Sequence, residues 1–502
     1  PAAMSGLASP RTVEAARSSL KRWAPRGSGG DPAGVRLMAQ QIGPSAALLN
    51  CLHCCLRWGT GAGTLRNVSR NPDIGPKFES NTTPPRVVGF WGAALFPVNG
   101  MIGAGIFALP AVLAAAVGSF APWMMLVGGL IFMPLALCFA WLAARFENSG
   151  GPVLYGEAAF GRFVGFQAGW ARYASAIVTT AANTSVMVAY LAALFPALNG
   201  PVAAPLAVGA IIALTTLINI LGMRAAVETL GVMTAIKVLP LLALVATAFF
   251  AGDPGIGFAL PQFSAVESTL LLTFYAFMGF ETVVEPAGEL REPKRNAPRA
   301  IVSMVAAVTL LYMAVIWAFL AIAPEAVSDN ALAEAARVTM GEVGAVALVV
   351  AAAFSIGANN FNGATSLPRL VFGMAERAML PRWFMEVSPR FGTPANAILF
   401  TGVAAILFGL WEGFAVLAVA GTLVRLVTYA ICAAALPVIE RREGRARPFH
   451  SLMAVLALLA SGWVAMQVDV KSVLVLTGLV ALGTALYFIA GRARGEVAAP
   501  LV

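Results

Sequence analysis

The residues best placed to do chemistry in this chain act through their backbone. In "VNGMIGAGIF" (98–107), Gly100, Gly103 and Gly105 fall within six residues of an otherwise apolar run, and each costs a helix about 1 kcal/mol relative to Ala. A second stretch, "FYAFMGFETVVEP" (274–286), sets Gly279 ahead of Glu281, Glu285 and Pro286. A helix opened at such a point shows N–H groups at the start of one half, which attract an anion. It shows C=O groups at the end of the other half, which attract a cation. Glycine lets the backbone open and a ligand approach it. An α-amino acid carries both charges a few ångströms apart and fits that pairing. The competing reading is that Gly103 and Gly105 only permit close helix packing.

A few side chains stand out beside these breaks. Lys237 is alone among apolar neighbours in "GVMTAIKVLPLLALV". An ionisable group there is costly and marks function, which makes it a candidate to load and release a proton. Alternatively its stem snorkels toward Glu228 at the near end of the segment. Glu281 either senses pH, completes a proton path or pins helix packing. Arg172 and Arg425, also inside apolar segments, cap carbonyls or pair internally. Ser355, Asn359 and Asn362 are spaced i, i+4, i+7 and share one helix face. With Thr180 and Asn183 they either complete a pocket or hydrogen-bond between helices. The only histidines are His53 and His450, both expected outside the helix bundle, and no phosphate loop occurs. Both facts argue against a membrane enzyme or an ATP-driven pump. Cys51, Cys54 and Cys55 with His53 match no zinc spacing, so neither a metal nor a cofactor is expected.

The elements that position these groups follow from composition. Of 502 residues 59% are hydrophobic and 11% charged, and the mean hydropathy is +0.80. Soluble chains average about 25% charged. The fold class is therefore an all-α integral membrane protein, because long apolar runs without strand alternation must satisfy their backbone as helices. About twelve transmembrane helices are expected after a basic, mostly disordered cytoplasmic tail over 1–86. Residues 87–250 and 265–440 form two five-helix halves, 448–491 hold the last two spans, and 492–502 end the chain in the cytoplasm. With the N-terminus inside, the inner loops and C-terminus carry seventeen Lys/Arg against Arg337 and Lys471 outside, a strong positive-inside bias. A multi-pass protein of the cell membrane, with both termini cytoplasmic, follows. The breaks fall in spans one and six, corresponding members of the two halves. An odd number of helices per half inverts one relative to the other, and paired breaks of this kind point to a transporter site. A channel predicts no such pairing.

Four motifs in order resemble the amino acid–polyamine–organocation superfamily, specifically its bacterial amino acid permeases, over about residues 87–440. They are "GMIGAGIFALP" in the first span, "GGPVLYGEAAFG" (150–161) in the loop after span two, "FYAFMGFETVVEPAGELREPKRNAPRAI" (274–301), and "LPRLVFGMAERAMLPRWF" (367–384) with "GTPANAI" (392–398). The resemblance implies the leucine-transporter-type fold, a 5+5 inverted repeat with discontinuous helices 1 and 6. It implies that N–H groups around Ile102, Gly103, Ala104 and Gly105 hold a substrate carboxylate. Carbonyls of Met101, Tyr275 and Met278, beside Gly279, would take the ammonium, with Tyr275 and Phe277 as gates. Many relatives carry Ser or Thr where Ala104 stands, so a hydroxyl contact is missing here. The resemblance also implies that Lys237, near Ser355, replaces a coupling cation. The expected activity is H⁺-coupled amino acid uptake, with exchange of amino acids or polyamines as the alternative. The expected partners are a neutral or small amino acid, protons and the lipid bilayer, and no nucleic acid.

Overall fold

The computed structural model describes residues 86, 88–147, 150–221, 226–251, 257–287, 290–322, 330–386, 388, 393–412, 414–467 and 469–497. The tail over 1–85, with Cys51, Cys54, Cys55 and His53, lies outside the described residues, as does the end of the chain beyond 497.

Helices account for nearly all of the described chain, and the only β-bridge among these residues joins Val88 to Leu290. In order they are α1 (Phe90–Met101), α2 (Gly105–Val117), α3 (Ala121–Ala143), α4 (Pro152–Phe160), α5 (Arg162–Ala192), α6 (Ala203–Leu221), α7 (Ala226–Ala251), α8 (Phe263–Phe277), α9 (Pro293–Ile322), α10 (Ala331–Glu376), α11 (Ala395–Trp411), α12 (Phe414–Arg442), α13 (Pro448–Met466) and α14 (Val470–Val497). Local chemistry sets the boundaries. Gly118 at φ +56° turns the chain between α2 and α3, and Pro122 sits in the first turn of α3, where its missing N–H is harmless. Gly161 at φ +89° ends α4 and caps α5. The 46-residue α10 bends at Gly341, whose φ of +66° and ψ of −164° are not helical.

The core lies where α5 packs on α12 and α3 packs on α9. Among its fully buried members are Trp170, Tyr173, Tyr190, Phe132, Phe139 and Tyr312. The outer helices keep large apolar side chains exposed: Leu206, Leu214 and Leu217 on α6, Phe249 and Phe250 on α7, Leu474 and Phe488 on α14. In water that surface would be strongly unfavourable. Against lipid it costs nothing, and helix association then rests on close fit and polar contacts. By length and composition nine of the described helical segments can cross a membrane, or ten if Phe263–Leu270 and Leu272–Val283, bent by 42° within α8, form one span. Gly105–Ala143 counts once there although it contains both α2 and α3, and α11 is a shorter apolar helix.

Candidate substrate cavity between two broken helices

α1 stops in mid-segment because Gly100 and Gly103 weaken it and its last carbonyls find partners elsewhere. The end of any helix leaves C=O groups without intrahelical donors, and inside a membrane each must be satisfied. Here three other helices supply the donors. From α10, Asn359 Nδ2 donates to Asn99 O at 2.9 Å and Gly100 O at 2.6 Å, Ser355 Oγ to Ile102 O at 3.0 Å, and Asn362 Nδ2 to Phe96 O at 3.4 Å. The i, i+4, i+7 stripe is thus a ladder against the end of α1. Tyr312 of α9 donates to Met101 O at 2.8 Å, and Lys237 Nζ of α7 donates to Ile102 O at 2.9 Å. The Met101 carbonyl also accepts Gly103 N–H at 2.9 Å. Both of its lone pairs are therefore engaged, which leaves no room for the ammonium expected there.

α8 ends at Phe277. Met278 is extended and Gly279 takes φ +105°, before a short 3₁₀ turn over Phe280–Val283. Glu281 Oε2 accepts the Gly279 N–H at 3.1 Å, and Thr282 Oγ1 donates to Gly279 O at 2.8 Å. The two breaks touch main chain to main chain. A Cβ on Gly100 would stand 2.2 Å from Gly279 O, and one on Gly279 would stand 2.4 Å from Gly100 C and O. Only glycine fits on either side.

One cavity opens between these breaks. Gly103, Ala104 and Gly105 border it from the start of α2, Tyr275, Met278 and Gly279 from the end of α8, and Asn359 from α10; α5 contributes a face with Thr180 and Asn183. The N–H groups of Gly105 and Ile106 precede the first intrahelical bond, from Phe107 N–H to Ala104 O at 3.0 Å, and lie at the positive end of that helix dipole. Tyr275 OH donates to Asn183 Oδ1, and Asn183 Nδ2 donates to Asn359 Oδ1 at 2.9 Å. These three side chains tie α8, α5 and α10 together along one wall. Ile102 and Phe277 do not border the cavity. Phe277 is buried in an aromatic cluster, its ring 5.5 Å from Phe132 and 6.0 Å from Tyr312.

Charged groups adjoin this space, all buried. Glu281 is ion-paired with Arg425 and lies 3.2 Å from Arg172 Nε; Tyr429 OH donates to it at 3.1 Å. Arg172 Nη2 is 2.7 Å from Glu285, and Arg425 Nε donates to Ser175 Oγ at 2.9 Å. Both arginines pair internally while also bordering the cavity. Lys237 is fully buried and stands within ion-pairing distance of no carboxylate among the described residues. Spacing along one helix disclosed the α10 stripe. Tyr312, Asn360, Thr179 and Tyr429 were missed: Asn360 and Thr179 fall outside the i, i+4, i+7 pattern of their neighbours, and only packing brings Tyr312 and Tyr429 to the site.

The family model for amino acid permeases matches residues 88–487. The chain belongs to that family. The permease is 30% identical over 423 residues to the uncharacterized transporter Rv1999c of Mycobacterium tuberculosis, covering 80% of this chain and 90% of the relative. An uncharacterized transporter of Mycobacterium bovis matches it equally. The serine/threonine exchanger SteT of Bacillus subtilis is 27% identical over 395 residues, 75% of the permease and 90% of SteT. The permease is an amino acid transporter of the APC group, a multi-pass membrane protein and not an enzyme.

Proposed function

We propose that the permease moves small, uncharged α-amino acids by alternating access, with uptake coupled to protons. The observation that carries this reading is the single cavity bordered by the first turn of α2 and by both helix breaks. The N–H groups of Ala104 and Gly105 receive the carboxylate. Carbonyls of Tyr275 and Met278 receive the ammonium, with Thr180, Asn183 and Asn359 around the substrate. Twelve spans follow if α2 and α3 are counted apart, α11 is counted, and α1 joins α2 as one interrupted span. Residues 87–250 and 265–440 are then inverted repeats with the breaks at corresponding places, and the excess of arginine on alternate loops sets both termini in the cytoplasm.

Lys237 couples the proton. Its Nζ bonds the Ile102 carbonyl at the mouth of the break, beside Ser355. Ammonium in that place binds the end of α1 as a cation would, and the neutral amine releases it. Protonation there biases α1 between two positions. Lys237→Gln, reconstituted in liposomes, is expected to keep amino acid exchange and to lose substrate-driven proton entry. Undiminished proton entry would contradict the assignment. Exchange is the second reading, favoured by the name of the Bacillus relative, and net uptake into empty liposomes under a proton gradient separates the two.

A further inference from the structure

The turn from α12 into α13 carries Arg441, Arg442, Arg445 and Arg447, all exposed. Arg442 Nη1 donates to the Ala158 carbonyl of α4 at 2.7 Å. The side chains of Arg441, Arg445 and Arg447 make no hydrogen bond or ion pair with any described residue. The acids of the turn are already committed. Glu443 lies 3.4 Å from Arg145 Nε, and the fully buried Glu440 is paired with Arg145 and stands 2.6 Å from His450 Nδ1. The same contacts fix the backbone. Gly444 at φ +66° ends α12, Arg445 N–H bonds Glu440 O at 2.9 Å, and Arg447 N–H reaches Glu440 Oε2 at 3.4 Å. His450 stacks on Trp141 of α3 with ring centroids 3.7 Å apart. Three unpaired guanidinium groups thus stand on a turn anchored at both ends.

Helix length gives their depth. The 19 residues of α13 span about 28 Å, close to the ~30 Å of a bilayer's hydrocarbon core. Pro448, its first residue, therefore lies at the edge of the hydrocarbon, and Arg445 and Arg447 lie just beyond, among headgroups. Phe449, 58% exposed, and Trp141 mark that edge, where aromatic side chains concentrate. We propose that this turn binds an anionic phospholipid, with Arg441, Arg445 and Arg447 around its phosphate and Phe449 against its acyl chains. A guanidinium gives a phosphate two parallel N–H bonds, and each basic side chain at an anionic surface strengthens binding about fivefold. A zwitterionic lipid brings an ammonium group toward the same three cations and is disfavoured. The lipid site involves neither the substrate cavity nor Lys237, so it holds or fails apart from the transport reading.

The test is thermal unfolding of the full chain in a neutral detergent, with dioctanoyl-phosphatidylglycerol, dioctanoyl-phosphatidylcholine or glycerol 3-phosphate added. A ligand that binds the folded state raises the midpoint. Phosphatidylglycerol is expected to do so at a concentration at least about tenfold below phosphatidylcholine, and glycerol 3-phosphate to do little. Raising NaCl from about 50 mM to about 500 mM should weaken the phosphatidylglycerol response alone. The combined variant Arg441→Gln, Arg445→Gln, Arg447→Gln breaks no contact within the protein and should keep the lipid-free midpoint. It should need at least about tenfold more phosphatidylglycerol, and Arg445→Gln alone about fivefold more. Arg291→Gln, Arg295→Gln, Arg299→Gln removes the same charge from exposed positions at the start of α9 and should respond as the parent does. Equal responses to the two lipids, or equal losses in the two triple variants, overturn the site. A response to glycerol 3-phosphate matching that to the lipid also overturns it, in favour of a free-phosphate site.

Discussion

Asn359 shows how one side chain holds an opened helix in place. Its amide nitrogen serves two carbonyls of α1, and its oxygen accepts from Asn183, which also accepts from Tyr275. Removing it strands Asn99 O and Gly100 O in a membrane interior and frees Asn183. Leaving a buried polar group unsatisfied costs about 1–3 kcal/mol. Asn359→Ala is therefore expected to lower the thermal midpoint in detergent and to lose amino acid exchange, whereas Asn359→Asp should recover neither. An unchanged midpoint would mean that the α1 carbonyls find other donors. The polar stripe that includes Asn359 was legible in the sequence, since helical spacing alone puts 355, 359 and 362 on one face. Its partners were not. Tyr312 and Lys237 reach the neighbouring carbonyls of Met101 and Ile102 from positions more than a hundred residues away, and no pattern along either helix records that meeting.

Among the elements, the two interrupted helices depend on a main-chain contact that tolerates no side chain. The glycine clusters announced that α1 and α8 break; that Gly100 and Gly279 press against each other was beyond the reach of periodicity. Gly279→Ala meets two penalties, a Cβ 2.4 Å from the Gly100 backbone and a φ of +105° that L-residues rarely adopt. It is expected to reduce folded, monodisperse protein severely. Gly357→Ala in α10, where an added Cβ meets nothing within 4 Å, should express and exchange as the parent does. Equal behaviour of the two variants in size-exclusion and thermal assays would show that the breaks do not touch. Span counting marks a second limit of sequence reasoning. Apolar length merges α2 with α3 and leaves the 17-residue α11 short of the usual length, so the expected twelve needed the breaks within apolar runs and the loop charges as well as helix length.

For the whole molecule, loops are joined by exposed ion pairs while Glu281, Arg172 and Arg425 pair in the interior. Glu147, in the loop after α3, lies 2.9 Å from Lys294 Nζ and 2.8 Å from Arg86 Nη2. The hydrogen bond from Lys294, then that from Arg86, holds its carboxyl down to about 2 from an ordinary 4.5. With the folded value depressed, this tie is present in full above pH 4.5 and is lost only as pH falls through about 2. Exposed pairs of this kind contribute little to stability. Glu147→Gln should accordingly leave the pH profile of exchange unchanged between about pH 5 and 8, and a shifted profile would assign the loop a part in proton coupling. On the proposed mechanism that dependence belongs to the interior, where Lys237 meets the break in α1. The most direct test of the account is a density map of the purified permease with a transported amino acid bound. The account predicts the substrate carboxylate within about 3 Å of the Ala104 and Gly105 nitrogens, in the cavity shared by both broken helices. A substrate bound elsewhere, with α1 and α2 joined in one continuous helix, would contradict it.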